Sequence, residues 1–269
     1  MPTIEELRKT RIEKLKKLET AGLLAYPAKT KRTHSVAEVL NNFGKLSKGI
    51  LGLPAQAGKK SVVVAGRIMA MRGQGGLTFL DINDGSGKIQ ILIKTDKLGE
   101  KGYQFFLDVF DIADFVEIKG TLFTTARGEK TIEAEDYKML SKALLPLPDK
   151  WCGISDVEDC LRKRYLDILF NPEIKEMVEK RTMFWASMRE FLVEKGFLEV
   201  ETPVLETVPG GADARPFKTH HNALNIDVYL RISVGELWQK KLMVAGFEKT
   251  FEIGRNFRNE GMDSEHLQD

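Results

Sequence analysis

In "VVVAGRIMAMR", residues 62–72, Val62, Val64 and Ile68 fall on one side of an extended chain and Arg67 falls on the other. The period is two, which is that of a half-buried strand and not of a helix. It returns in "LTFLDIN" (77–83), "KIQILIK" (88–94), "DFVEIKGTLF" (114–123) and "KTIEAEDYKML" (130–140), with a "DGSG" turn at 84–87 and a helical stretch near 100–110. Five strands with a helix after the third predict an OB-type barrel. That architecture commonly holds single-stranded nucleic acid on one open face.

The same alternation sorts the side chains. Leu80 and Ile82 point inward and leave Phe79 outward; Ile89 and Ile91 leave Gln90 outward; Ile132 and Ala134 leave Glu135 outward. A phenylalanine beside Arg67, Gln90 and Glu135 suits base reading, with the ring stacking on a base and the polar groups bonding to its edge. The alternation equally allows Phe79 to lie covered by the N-terminal helix.

Before the barrel, Ile4, Leu7, Ile12, Leu15 and Leu18 share one side of a helix over residues 4–18. Arg8 to Lys17 holds six basic residues and one acidic residue, either a solvated face of a docking helix or an arm that meets phosphates. Residues 20–60, broken by glycine and proline, read as short helix and loop. The chain of 269 residues is 42% apolar and 30% charged and has a net charge of +2, so it lacks the chain-wide basic field of many nucleic-acid binders. No apolar stretch approaches the roughly 20 residues of a membrane span, and the charged N-terminus lacks a signal peptide's apolar centre, so a cytoplasmic protein is expected. Cys152 and Cys160 fit neither a zinc site nor a disulfide framework, and are read as reduced thiols.

After the barrel, Pro146 and Pro148 predict a semi-rigid connector. "NPE" at 171–173 then provides an Asn cap with Pro at the first helical position. Apolar residues from Ile174 to Leu192 recur every three or four positions until Gly196, a stripe that packs either in a core or on a partner helix. "FLEVETPVL" (197–205) reads as a strand broken by Pro203. "PGGADARPF" (209–217) reads as a loop whose glycines permit close approach of backbone to a ligand. His220 and His221 are adjacent and would face opposite sides of a strand, which argues against joint metal ligation.

"KTFEIGRNFRNEG" (249–261) again alternates. It places Phe251, Ile253 and Phe257 on one side and Glu252, Asn256, Arg258 and Glu260 on the other. A guanidinium binds phosphate or carboxylate in fork geometry, and a neighbouring carboxylate accepts from an amino group such as that of adenine. A cross-strand ion pair on a solvated sheet would have the same spacing. There is no Walker loop or dinucleotide glycine fingerprint, so a nucleotide bound here must be held by strands and side chains.

"GFLEVETPVL", "PGGADARPFKTHHNALNIDVYLRIS", "ELWQKKL" and "FEIGRNFRNEG", in this order behind "AGRIMAMR" and "GKIQILI", closely resemble bacterial-type class II lysyl-tRNA synthetases over nearly the whole chain. The resemblance implies an α+β protein: an N-terminal extension (1–60), an OB-fold β-barrel that binds the anticodon (61–143), a linker (144–170) and a class II catalytic domain on an antiparallel sheet (171–269). It implies activation of lysine by ATP and transfer of the lysyl group to tRNA(Lys), with Mg2+ on the phosphates. By this resemblance Arg258 meets the α-phosphate, Glu260 the adenine amino group and His266 the outer phosphates. Gly211 and Glu236 hold the α-amino end of lysine, while Arg67, Phe79, Gln90 and Glu135 read the anticodon. The helix 172–195 with Pro203 resembles the first class II motif and implies a homodimer.

Leu267, Gln268 and Asp269 stand where the family usually has Asn, Pro and Glu. The family's magnesium carboxylates, lysine side-chain pocket and third motif would follow residue 269, so a fragment inactive by itself is expected. A non-catalytic RNA-binding OB module, or an aspartyl- or asparaginyl-type enzyme, are the rival readings.

Overall fold

Glu6 N donates to the Thr3 hydroxyl and Thr3 N donates to the Glu6 carboxylate, a reciprocal cap that starts helix α1, Ile4–Thr20. The computed structural model describes residues 2–47, 61–148 and 156–261, in two units, Met1–Ser155 and Asp156–Asp269. In the first unit α2 (Val36–Asn41) and α3 (Phe43–Ser47) follow α1. Strands β1 (Val62–Gln74), β2 (Leu77–Asn83) and β3 (Lys88–Lys94), helix α4 (Thr95–Val109), and strands β4 (Phe115–Thr124) and β5 (Lys130–Ser141) complete it.

The five strands close into a barrel in the order β1-β2-β3-β5-β4. All neighbours are antiparallel except β3 and β5, where Ile91 stands opposite Ile132 in a parallel pair. A parallel pair needs a long crossover, and α4 with β4 provides it. Every second residue of the strands is withdrawn from water: Val62, Val64, Ile68, Leu80, Ile82, Ile91, Ile118 and Ile132 are completely buried. Phe106 of α4 adds to this core, stacked on Phe110 with ring centres 4.5 Å apart.

The docking of α1 differs from the apolar stripe expected of it. Ile4 is exposed, whereas Arg11 is buried and donates to the carbonyls of Ile112, Ala143 and Leu145 at 3.0–3.1 Å. Lys14 pairs with Asp111 at 2.6 Å, and Leu18 is buried. Two of the six cations thus hold the helix to the barrel unit. Beneath them the Lys142 ammonium, fully withdrawn from water, donates to Val109 O, Asp111 and Asp114. Burial raises the Asp111 carboxyl, but hydrogen bonds from Lys14 and Lys142 outweigh it and hold the group below the usual range. At Asp114 burial prevails over the same kind of bonds, and the pKa is raised.

In the second unit the expected connector is partly helical. Asp156 caps α5 (Val157–Arg162), accepting from Glu158 N and Asp159 N, and α6 (Arg164–Phe170) leads into α7 (Pro172–Glu194). Strands β6 (Leu198–Glu199), β7 (Leu205–Glu206), β8 (Lys218–His221) and β9 (Ile226–Leu230), helix α8 (Glu236–Val244) and strand β10 (Thr250–Phe251) follow. An antiparallel sheet has the order β7-β9-β8, and β6 pairs parallel with β10.

The apolar stripe of α7 is not core: Met177, Val178, Phe184 and Phe191 are all exposed, and the helix has no buried residue. The run at 249–261 is a strand only at β10. Beyond it the chain makes separate backbone bonds, Phe257 N to Arg231 O at 2.9 Å and Asn259 N to Arg215 O at 2.8 Å. Among the described residues no helix is long and apolar enough to cross a membrane.

Candidate active site and nucleic-acid interface

In the second unit, two loops and the start of α8 converge. Gly211 has φ +89°, a conformation that L side chains rarely adopt. A Cβ there would collide with the Ser233 hydroxyl and would lie 2.8 Å from Glu236 Oε2. Glycine is therefore required twice, for the backbone angle and for the close approach. The Ser233 hydroxyl donates to Gly210 O at 3.0 Å and ties the loop to the residues leading into α8. Glu236, in the first turn of that helix, is exposed and accepts from Lys240 at 3.1 Å.

Arg258 reaches the same neighbourhood, its Nε donating to Ile232 O at 3.4 Å while the residue remains exposed. A long bond from one nitrogen leaves most of the guanidinium's donors available to a ligand. Glu260 is exposed and accepts from Arg215 N at 3.3 Å, which links it to the end of the 209–217 loop. Gly211 and Glu236 are in contact, Arg258 anchors one residue before Ser233, and Glu260 holds the far side of the loop. His266, like Cys152, lies outside the described residues.

Glu252 does not share the exposed face with Arg258 that alternation predicts. It forms a buried pair with Arg231, Nη1 to Oε1 at 2.5 Å, and accepts from the Thr202 hydroxyl at 2.7 Å. Arg231 also donates to Arg255 O at 2.9 Å. Burial raises the Glu252 carboxyl, but the bonds from Thr202 and Arg231 outweigh it and keep the group below the ordinary carboxylate range. This clamp joins β9 to the chain beyond β10 and fixes the backbone that carries Arg258. Charged residues interrupting the apolar runs "VYLRIS" and "FEIG" were its sequence signal.

His220 and His221 are both exposed on β8. His220 approaches Asp227 at 3.2 Å, and Lys218 approaches the same carboxylate at 2.6 Å. Cys160, on α5, is half-buried and its thiol hydrogen-bonds to Asp167. Among the described residues no group of three or more His, Cys, Asp or Glu side chains could hold a metal ion.

On the barrel, Arg67, Phe79 and Gln90 lie on the outer face of adjacent strands. Phe79 stands between Arg72 and Leu92, and Gln90 between Asp81 and Thr131. Phe79 is half-exposed. The Arg67 guanidinium sits 4.5 Å from the centre of the Phe115 ring, and burial lowers its pKa. Gln90 accepts from the Thr131 hydroxyl at 2.9 Å.

Glu135 is elsewhere. Lys119 pairs with Asp136 and Gly120 with Ala134, so Glu135 is the extra residue of a bulge, and it accepts from the Ser61 hydroxyl at 3.3 Å. It lies four residues along β5 from Gln90's partner Thr131, roughly 13 Å at strand rise. Gly120 permits the bulge, since a Cβ there would collide with the Glu133 carbonyl.

Residues 156–268 match the family model for class II tRNA synthetases (D, K and N), and residues 62–140 match that of the OB-fold nucleic acid binding domain. A lysine–tRNA ligase of Pelotomaculum thermopropionicum is 47% identical over 263 residues, which are 98% of this chain and 49% of that protein. One from Carboxydothermus hydrogenoformans is 46% identical over 98% of this chain and 51% of its own length. One from the Hall strain of Clostridium botulinum is 47% identical over 97% and 49%. The chain spans about half the length of the curated relatives it matches.

Proposed function

For a chain that carries an OB-fold nucleic-acid-binding domain followed by part of a class II tRNA synthetase domain, we propose the work of a lysine–tRNA ligase. A carboxylate oxygen of lysine attacks the α-phosphorus of ATP, the bond to the β-phosphate oxygen breaks, and lysyl-adenylate and pyrophosphate form. A terminal ribose hydroxyl of tRNA(Lys) then attacks the lysyl carbonyl, and AMP leaves. Arg258 offers a guanidinium to the α-phosphate as negative charge spreads over the five-coordinate phosphorus. In this reading Glu260 accepts from the adenine amino group, and Glu236, beside Gly211, accepts from the α-ammonium of lysine.

Magnesium, when bound, neutralises phosphate charge. The described residues contain no ligand cluster for it. Arg67, Phe79, Gln90 and, farther along β5, Glu135 form the anticodon-reading surface of this proposal. Homodimerisation through the exposed stripe of α7, together with Pro203, and a cytoplasmic location belong to the same reading.

The observation that carries the proposal is the meeting of Gly211, Ser233, Glu236 and Arg258 in one small region. The test is lysine-dependent exchange of pyrophosphate into ATP by the gene's full translation product. Arg258→Gln should lower the exchange rate by roughly a hundredfold or more, with the fold unchanged by circular dichroism. Exchange that survives the substitution, or that answers to aspartate instead of lysine, refutes it.

A further inference from the structure

Two cations on the barrel's outer face share one buried anion. Asp81 lies on β2 two residues from Phe79, so both side chains point outward, and its register partners are Ala70 on β1 and Gln90 on β3. Yet its side chain is only 8% exposed, because both oxygens are covered: Arg72 Nη2 is 3.4 Å from Oδ1 and Lys88 Nζ is 2.9 Å from Oδ2. The cations remain open to water, with side chains 64% and 55% exposed. Arg72 is in turn the register partner of Phe79.

Pairing spares the buried Asp81 carboxylate the cost of an unpaired charge, and it leaves the positive ends of both cations in water, where a further anion can reach them. Arg72 keeps unused donors, since a single nitrogen makes one long contact. The group carries one positive charge overall, beside a half-exposed ring that can stack on a base. A single-stranded RNA presents phosphates and bases together and at fixed spacing, which matches cations held beside an aromatic platform.

We propose that Asp81 is a positioning residue for RNA recognition, holding Arg72 and Lys88 along the strand face beside the Phe79 platform so that they meet backbone phosphates of the RNA strand bound there. This rests on the reading of the barrel face as an RNA site and adds three residues to it. Its consequence runs against simple electrostatics. Removing a negative charge from a patch that binds RNA by general attraction tightens binding, whereas removing the carboxylate that orders two cations weakens it.

The test is binding of the full 269-residue chain to a hairpin RNA with a UUU loop and to one with a CCC loop, across a range of salt. Asp81→Asn should bind the UUU hairpin about tenfold more weakly and lose part of its preference over CCC, and Asp81→Glu should recover part of the loss. Arg72→Gln and Lys88→Gln should each weaken binding and flatten the salt dependence by about one unit of slope. Equal or tighter binding by Asp81→Asn, while Phe79→Ala weakens binding at least about fivefold, overturns the positioning role and leaves the RNA site standing. No binding of either hairpin by the wild-type chain overturns both. If Asp81→Asn does not fold, unchanged salt slopes in Arg72→Gln and Lys88→Gln overturn the proposal.

Discussion

Gly211 combines a left-handed backbone with a neighbour on each side, Ser233 and Glu236, that a side chain would displace. Gly211→Ala should raise the lysine KM by roughly ten- to hundredfold, because a shift of about 1 Å in a positioned carboxylate is enough for that. The ATP KM should change much less, and steady-state exchange kinetics separate the two. Equal effects on both substrates would mean that the glycine supports the domain and not the amino-acid site. The nearness of Gly211 to Glu236 has no periodic signature, since it arises from a loop meeting the start of a helix. It came into view only through resemblance of whole motifs. The Arg231–Glu252 clamp was missed for a related reason: residues 21 apart are joined by a bend of the chain, and strand alternation cannot follow a chain that leaves its sheet. Glu135 lies outward of the buried Ile132 and Ala134 as alternation predicts, but the bulge that sets it between the paired residues Ala134 and Asp136 has no periodic signature.

At the level of elements, the barrel strands were legible almost residue for residue, since alternate residues of each form a continuous buried face, although Asp81, Leu92, Glu117 and Thr131 on the opposite face are also withdrawn from water. The short strands of the second unit were less so. They expose much of both faces, and alternation then carries no information about burial. Helix α1 lies between these cases: its start is written in the Thr3–Glu6 cap, but its attachment is made by Arg11, a residue that apolar periodicity assigns to water. Arg11→Ala leaves the carbonyls of Ile112, Ala143 and Leu145 without this donor, at a cost of about 1–3 kcal/mol. Amide exchange in α1 should accordingly quicken by roughly ten- to hundredfold while the barrel strands keep their protection. Uniform loss of protection would show instead that the helix and barrel unfold as one.

Across the whole molecule, the contrast is between a first unit with a continuous core and a second whose longest helix buries no residue. Phe184 and Phe191 of the α7 stripe are exposed, and they are the surface through which the proposed homodimer would form. Phe191→Asp should therefore weaken self-association by at least about 2 kcal/mol, about thirtyfold, measured by sedimentation; an unchanged association constant would remove α7 from the interface. The barrel has its own dependence on completeness. Its last strand, β5, lies between β3 and β4 and pairs with both, so closure comes last in synthesis as well as in space. Until residues 130–141 leave the ribosome, the emerging chain presents β3 and β4 as two open edges. The order of strands thus makes the twelve residues of the last strand the step that ends the barrel's exposure to wrong partners.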